Sequence, residues 1–120
     1  MKPAVFAYIC APDYDKKGFP AQHRYMEYCA ALYELNYVPI CPALLFSRFL
    51  RESVPEQREA RRHMSRQLLR RCRVLVVCSE DITEEMEAEI MLAKRCGIIA
   101  TTLSGLQKIY QYAKADSKAT

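Results

Sequence analysis

Apolar and polar positions alternate along the chain in blocks that read as strand, helix, strand, helix. Ala4-Val5-Phe6-Ala7-Tyr8-Ile9-Cys10 is a short apolar run of the kind that fills a buried strand, and Pro12 and Asp13 stop it. A polar loop is expected over 11–19, with Pro20 near the start of a helix over 21–35 that carries Tyr25, Cys29, Leu32 and Tyr33. Asn36 suits a left-handed helix end. Tyr37 to Cys41 predicts the second strand, and Leu44 to Leu50 an apolar connection with room for a helical turn. A helix follows over 56–71, with Ala60, Met64 and Leu68 at four-residue spacing. Arg73-Val74-Leu75-Val76-Val77-Cys78 is the strongest strand signal. Thr83 caps the next helix, Gly97 ends it, Ile98 to Thr101 supplies a fourth strand, and Ser104 opens a last helix through Tyr112.

Strands rich in Val, Ile and Leu, each followed by a helix, predict a parallel sheet covered on both faces. The expected fold is therefore α/β, a small doubly wound, flavodoxin-like or Rossmann-like sheet of about four strands. One domain spans 1–113, and 114–120 is expected to be a flexible tail. In such sheets ligands bind beyond the carboxyl ends of the strands. The loops after Cys10, Cys41 and Ser79 should then meet at one rim.

One position breaks the pattern. In the fourth helix, Met86, Ile90, Ala93 and Gly97 share a face, and Glu89 projects inside that apolar arc, whereas Glu84, Glu87, Lys94 and Arg95 point away. A carboxylate there is costly to desolvate unless it is bonded, paired or lining a cavity. Glu80 and Asp81 follow the third strand, close to the same rim. A partly desolvated carboxylate can attack an oxocarbenium-like sugar, or it can simply bond a backbone amide or an arginine; periodicity weighs the two equally.

Composition narrows the classes. The chain has 120 residues, 51% of them hydrophobic, enough for one domain with a real core. Its three glycines exclude the usual phosphate-loop fingerprints. His23 and His63 lack metal-ligand spacing, so no metal and no cofactor are expected. None of the six cysteines forms a C-x-x-C pair and most sit in apolar runs, which predicts reduced, buried thiols. Met1-Lys2-Pro3 leads directly into the first strand, with no apolar stretch near ~20 residues, so a cytoplasmic protein without membrane contact is expected. The net charge of +4 comes mostly from Arg58, Arg61, Arg62, Arg66, Arg70 and Arg71. Without interleaved aromatics this segment reads as a solvated helix face rather than a nucleic-acid grip. Phe46, Phe49 and Leu50, near arginines, are the cue for an interaction surface.

The segment Ile82-Thr83-Glu84-Glu85-Met86-Glu87-Ala88-Glu89-Ile90, with Ala93 and Gly97-Ile98, resembles the active-site helix of the nucleoside 2-deoxyribosyltransferase-like superfamily, nearest a small uncharacterised bacterial and phage branch. Tyr8 with Pro12, Tyr28-Cys29, Val38-Pro39-Ile40 before Pro42, Pro55-Glu56 with Arg58, and Leu68-Leu69 leading to Cys72 extend the likeness over roughly 4–100. The resemblance implies a homodimer that takes a small-molecule nucleoside or nucleotide. It also implies N-glycosidic hydrolysis or deoxyribosyl transfer with Glu89 as nucleophile. Tyr8 and Asp81 would assist, and Cys10, Pro12, Asp13, Thr83, Met86 and Arg58 would contact substrate. Glu85 stands where glycine is usual, Ala21 where Asn is, Ala43 where His is, and Arg73 where Asp is common. Arg61 and Ser65 replace small residues. These departures motivate the alternative of a non-catalytic nucleotide-metabolite binder or interaction module on the same fold.

Overall fold

The computed structural model describes residues 4–14 and 21–119, so the part of the expected 11–19 loop from residue 15 on and the helix start at Pro20 lie outside the described residues. The elements are β1 (Val5–Cys10), α1 (Gln22–Glu34), β2 (Tyr37–Ile40), α2 (Pro42–Phe46), α3 (Pro55–Arg70), β3 (Val74–Val77), α4 (Glu84–Arg95), β4 (Ile99–Thr102) and α5 (Leu103–Ala119). The four strands form one parallel sheet in the order β2-β1-β3-β4, the small doubly wound α/β arrangement expected. Pro39 lies in β2, an edge strand, where a missing N–H is tolerated. Within the described residues no helix is long and apolar enough to cross a membrane.

Side-chain alternation splits the core in two. Tyr8, Cys10 and Leu75 face Leu69 of α3 and Met86 and Ala93 of α4. Ala7, Ile9, Val74 and Val76 face Leu32 of α1, with Leu103 and Leu106 of α5 beside them. Because the chain leaves β1 toward β2 and later returns to place β3 on the other side, the β1 carboxyl end is the switch point where a crevice opens.

Local chemistry sets the ends of α4. Thr83 Oγ1 accepts from the Met86 amide at 3.2 Å, and Glu84, Glu85 and Glu87 occupy the positive first turn. At the other end Ile98 N–H bonds the Ala93 carbonyl at 2.8 Å and Gly97 N–H bonds that of Lys94 at 3.2 Å. This Schellman arrangement requires the φ of +71° that Gly97 adopts. A Cβ at Gly97 would meet nothing within 4 Å, so Gly97→Ala costs only backbone strain, about 1 kcal/mol. Urea unfolding should show a lowered midpoint with an unchanged slope. Asn36 takes the same conformation, φ 70°, at the end of α1.

Two expectations change. The last helix runs past Tyr112 to Ala119, through the stretch read as a tail. Residues 113–116 are exposed, and sequence polarity alone does not separate a solvated helix from a frayed end. Phe46, one of the three side chains that cue an interaction surface, is buried at 6% and packs edge-on against Phe49 at 6.0 Å, leaving Phe49 as the exposed member of that pair.

Candidate functional site

A cleft of about 110 Å³ opens beside the carboxyl end of β1, between α3, α4 and the start of α2. Tyr8 and Glu89 form its inner surface, and Arg61 and Ser65 descend from α3. Cys41, Pro42 and Ala43 close one side, and Asp13 and Tyr25 another. Exposed Arg58 and Glu85 stand at the outer margin.

Glu89 reaches this cleft because Met86 and Ala93 are buried against the sheet on either side of it along the helix. The carboxylate is half-buried, and burial pushes its pKa up to about 7. A hydrogen bond from the Tyr8 hydroxyl works in the opposite direction, as does the charge of Arg61, while Glu85 and Asp13 add to the rise. Tyr8 itself is 2% exposed; its burial, then the Glu89 charge, hold its hydroxyl protonated, so it serves as a donor. Ser65 also hydrogen-bonds the Tyr8 oxygen. Glu89 is thus an acid poised to be either protonated or ionised near neutrality.

The cleft wall is held by an ion-pair network that crosses the fold. Arg61 bonds Asp13 at 2.9 Å and also pairs with Glu52. Its own burial alone would lower its pKa, but the two carboxylates reverse that and raise it. The Tyr25 hydroxyl donates to the Pro12 carbonyl at 2.6 Å and to Asp13 at 3.2 Å. Together Arg61 and Tyr25 tie the loop after β1 to α3 and α1. The Arg61 side chain is 16% exposed, whereas Asp13 and Glu52 remain open to water at 42% and 39%. Arg61→Ala therefore strands two hydrated carboxylates rather than buried ones, and should cost about 1–2 kcal/mol, below the 3–5 of a fully buried pair. Chemical denaturation at pH 7 measures it.

Glu85 does not cover Glu89. It turns to Arg62, Nε to Oε1 at 3.3 Å, and Arg62 also binds Glu59 at 3.1 Å. Among the described residues Arg58 has no acidic partner. The arginine-rich stretch thus divides: Arg58, Arg61 and Arg62 line the cleft, while Arg70 and Arg71 are the solvated face expected.

Of the sequence-derived residues, the cleft gathers Glu89, Tyr8, Asp13 and Arg58. Pro12, Asp81 and Thr83 line a second cavity of about 280 Å³, with Tyr14, Arg24, Tyr28 and Ser79. The loop after Ser79 therefore meets the loop after Cys10 in this second cavity, while the loop after Cys41 lines the first. Cys10 and Met86 line neither cavity: they are 0% and 1% exposed, and the Cys10 thiol points at the Met86 carbonyl at 3.9 Å. Tyr25 and Glu52 went unread as site residues. Helical spacing marks Tyr25 as core, and it is core, with only its hydroxyl reaching the site. Glu52 lies in a connection whose position depends on tertiary packing. His23 and His63 are exposed, and no group of metal-binding side chains is present among the described residues.

No curated protein matches the chain. The family model described as Domain of unknown function (DUF7768) matches residues 5–103, and the chain belongs to that family.

Proposed function

We propose that this protein cleaves the N-glycosidic bond of a nucleoside, as a hydrolase or a deoxyribosyltransferase, with Glu89 as the nucleophile. The observation that carries the reading is a desolvated carboxylate at the inner surface of a cleft, oriented by the buried Tyr8 hydroxyl. A carboxylate oxygen of Glu89 bonds the anomeric carbon as the carbon–nitrogen electron pair leaves with the base, which takes a proton from water. Water then attacks the same carbon, releasing the sugar and restoring the carboxylate; a second base in place of water gives transfer. Tyr8 holds one side of the carboxylate and leaves the other free to attack. A cavity of about 110 Å³ is smaller than the ~300–1,000 Å³ that encloses a whole ligand, so it suits the sugar, with the base extending outward. The same reading carries a homodimer, as the resemblance to nucleoside 2-deoxyribosyltransferase-like proteins implies, and we place it in the cytoplasm.

The test is incubation with a panel of ribo- and deoxyribonucleosides and their monophosphates, with free base followed by chromatography. Base release from at least one member supports the reading; none from any, at micromolar protein over hours, refutes it.

Arg58 favours a second reading. It faces the cleft and has no acidic partner among the described residues, so it is available to a phosphate. A non-catalytic nucleotide binder would show a thermal shift with mono- or cyclic nucleotides that Arg58→Ala removes, without base release.

A further inference from the structure

At the β2 edge of the sheet, two helices carry large apolar side chains that nothing covers. On α1, Tyr25 and Leu32 turn inward, while Arg24 and Tyr28 reach the residues after β3 and line the second cavity with Ser79 and Asp81. At 100° per residue the opposite flank of α1 carries Met26 and Tyr33, two turns apart, and that flank looks past the edge strand β2. α2 follows β2 and packs on α1. It presents Leu45, and Phe49 stands out just beyond it against the buried Phe46. These four side chains are 53% to 73% exposed. Pro39 takes an N–H from β2, which makes this edge a poor template for another strand and leaves side-chain packing as the way to cover it.

We propose that a second copy of this chain docks on this face, with α1 and α2 of each copy set against those of the other about a two-fold axis. Area is the first argument. A homodimer interface takes about 800 Å² from each partner, about 65% of it apolar. Four large side chains, each more than half open, expose on the order of 500 Å², which is that apolar share. Charge is the second, and it selects a copy over another protein. Glu34 ends α1 in a last turn without a basic residue, so a carboxylate stands at the negative pole of the helix. Arg48 is exposed beside Phe49. Neither has an ion-pair partner among the described residues, whereas Glu27 is held by His23 at 3.0 Å. The two charges also lie at opposite ends of the sheet, because α1 runs down to the start of β2 and α2 begins where β2 ends. A two-fold axis across β2 therefore sets each Glu34 against the partner's Arg48, while a partner of one charge sign would meet repulsion at one end. Pro42 and Ala43 of α2 line the Glu89 cleft, so the docked copy stands behind a cleft wall.

The proposed function carries a homodimer, and this assignment gives it a face, argued from exposure and charge rather than from the chemistry of the cleft. Sizing and base release are separate measurements, so either can fail alone. The full chain is sized by light scattering at about 100 μM, where a dimer of micromolar Kd is mostly formed. The mass should be twice the 13.9 kDa of one chain. Tyr33→Asp and Phe49→Asp, each with an unchanged circular dichroism spectrum, should run as monomers. Ile109→Asp changes an equally bare side chain on α5, which follows the opposite edge strand β4, and should stay dimeric. Glu34→Arg and Arg48→Glu should each raise the dimer Kd about tenfold, and together return it to within about threefold of the wild type. A monomeric wild type, a dimer that survives both aspartates, or one that Ile109→Asp dissociates would overturn the assignment. So would a double charge swap that dimerises no more tightly than the single variants.

Discussion

Glu89→Gln should lower base release by about a thousandfold or more at pH 8 while leaving the fold intact, because an amide cannot form the glycosyl ester. The near-isosteric amide still accepts from the Tyr8 hydroxyl, so the change removes the nucleophile with little disturbance of packing. The wild-type pH profile should carry the same signature. In the proposed reaction only ionised Glu89 attacks, so kcat/KM should rise about tenfold per pH unit below its pKa of about 7 and level above it. Tyr8→Phe removes a hydrogen bond that lowers that pKa, and should move the rising limb to higher pH. A flat profile over this range, or equal base release by Glu89→Gln, would rule out Glu89 as the nucleophile. The profile discriminates better than the loss alone, since a purely structural role for Glu89 would not place a limb there.

The sheet was legible from sequence because each strand is an apolar run bounded by turn chemistry, and a parallel sheet buries both faces of such runs. Glu89 was legible for a related reason: helical periodicity assigns every position a side, and a carboxylate on the buried side needs an explanation. The rim resisted the same treatment. Asp13, Glu52 and Arg61 meet across separate elements, and no local pattern encodes that Arg61 turns inward while Arg70 turns out. Thr83 and Asp81 are near Glu89 in sequence, yet they line a different cavity. The reason is that Asp81 and Thr83 precede α4 and meet the loop after Cys10, whereas Glu85 and Glu89, on the helix itself, line the cleft with α3, so nearness along the chain did not translate into a shared surface. Glu85 illustrates the converse. It stands where the resemblance has glycine, yet its carboxylate pairs with Arg62 at 3.3 Å, at the outer margin of the Glu89 cleft.

The cleft should also set how stability depends on pH. Folding raises the Glu89 pKa from 4.5 to about 7, chiefly through burial. Between those values the folded chain keeps a proton that the unfolded chain has released, so this group makes stability fall as pH rises. Its contribution is fully present below about pH 4.5 and lost once pH passes 7. The difference amounts to about 3 kcal/mol at most by the conversion of ~1.4 kcal/mol per pH unit. Gln at this position has no proton to lose. Glu89→Gln should match the wild type near pH 5 and exceed it at pH 8, by roughly 10 °C in melting temperature for a domain of this size. Melting curves of both proteins from pH 5 to 8 give the comparison, and the difference between them isolates Glu89 from all other titrating groups. Curves that run parallel would mean that Glu89 is hydrated in the folded state and carries no desolvation. A wider gap at pH 8, together with loss of base release, would mark one carboxylate whose destabilising burial is retained for the chemistry it performs.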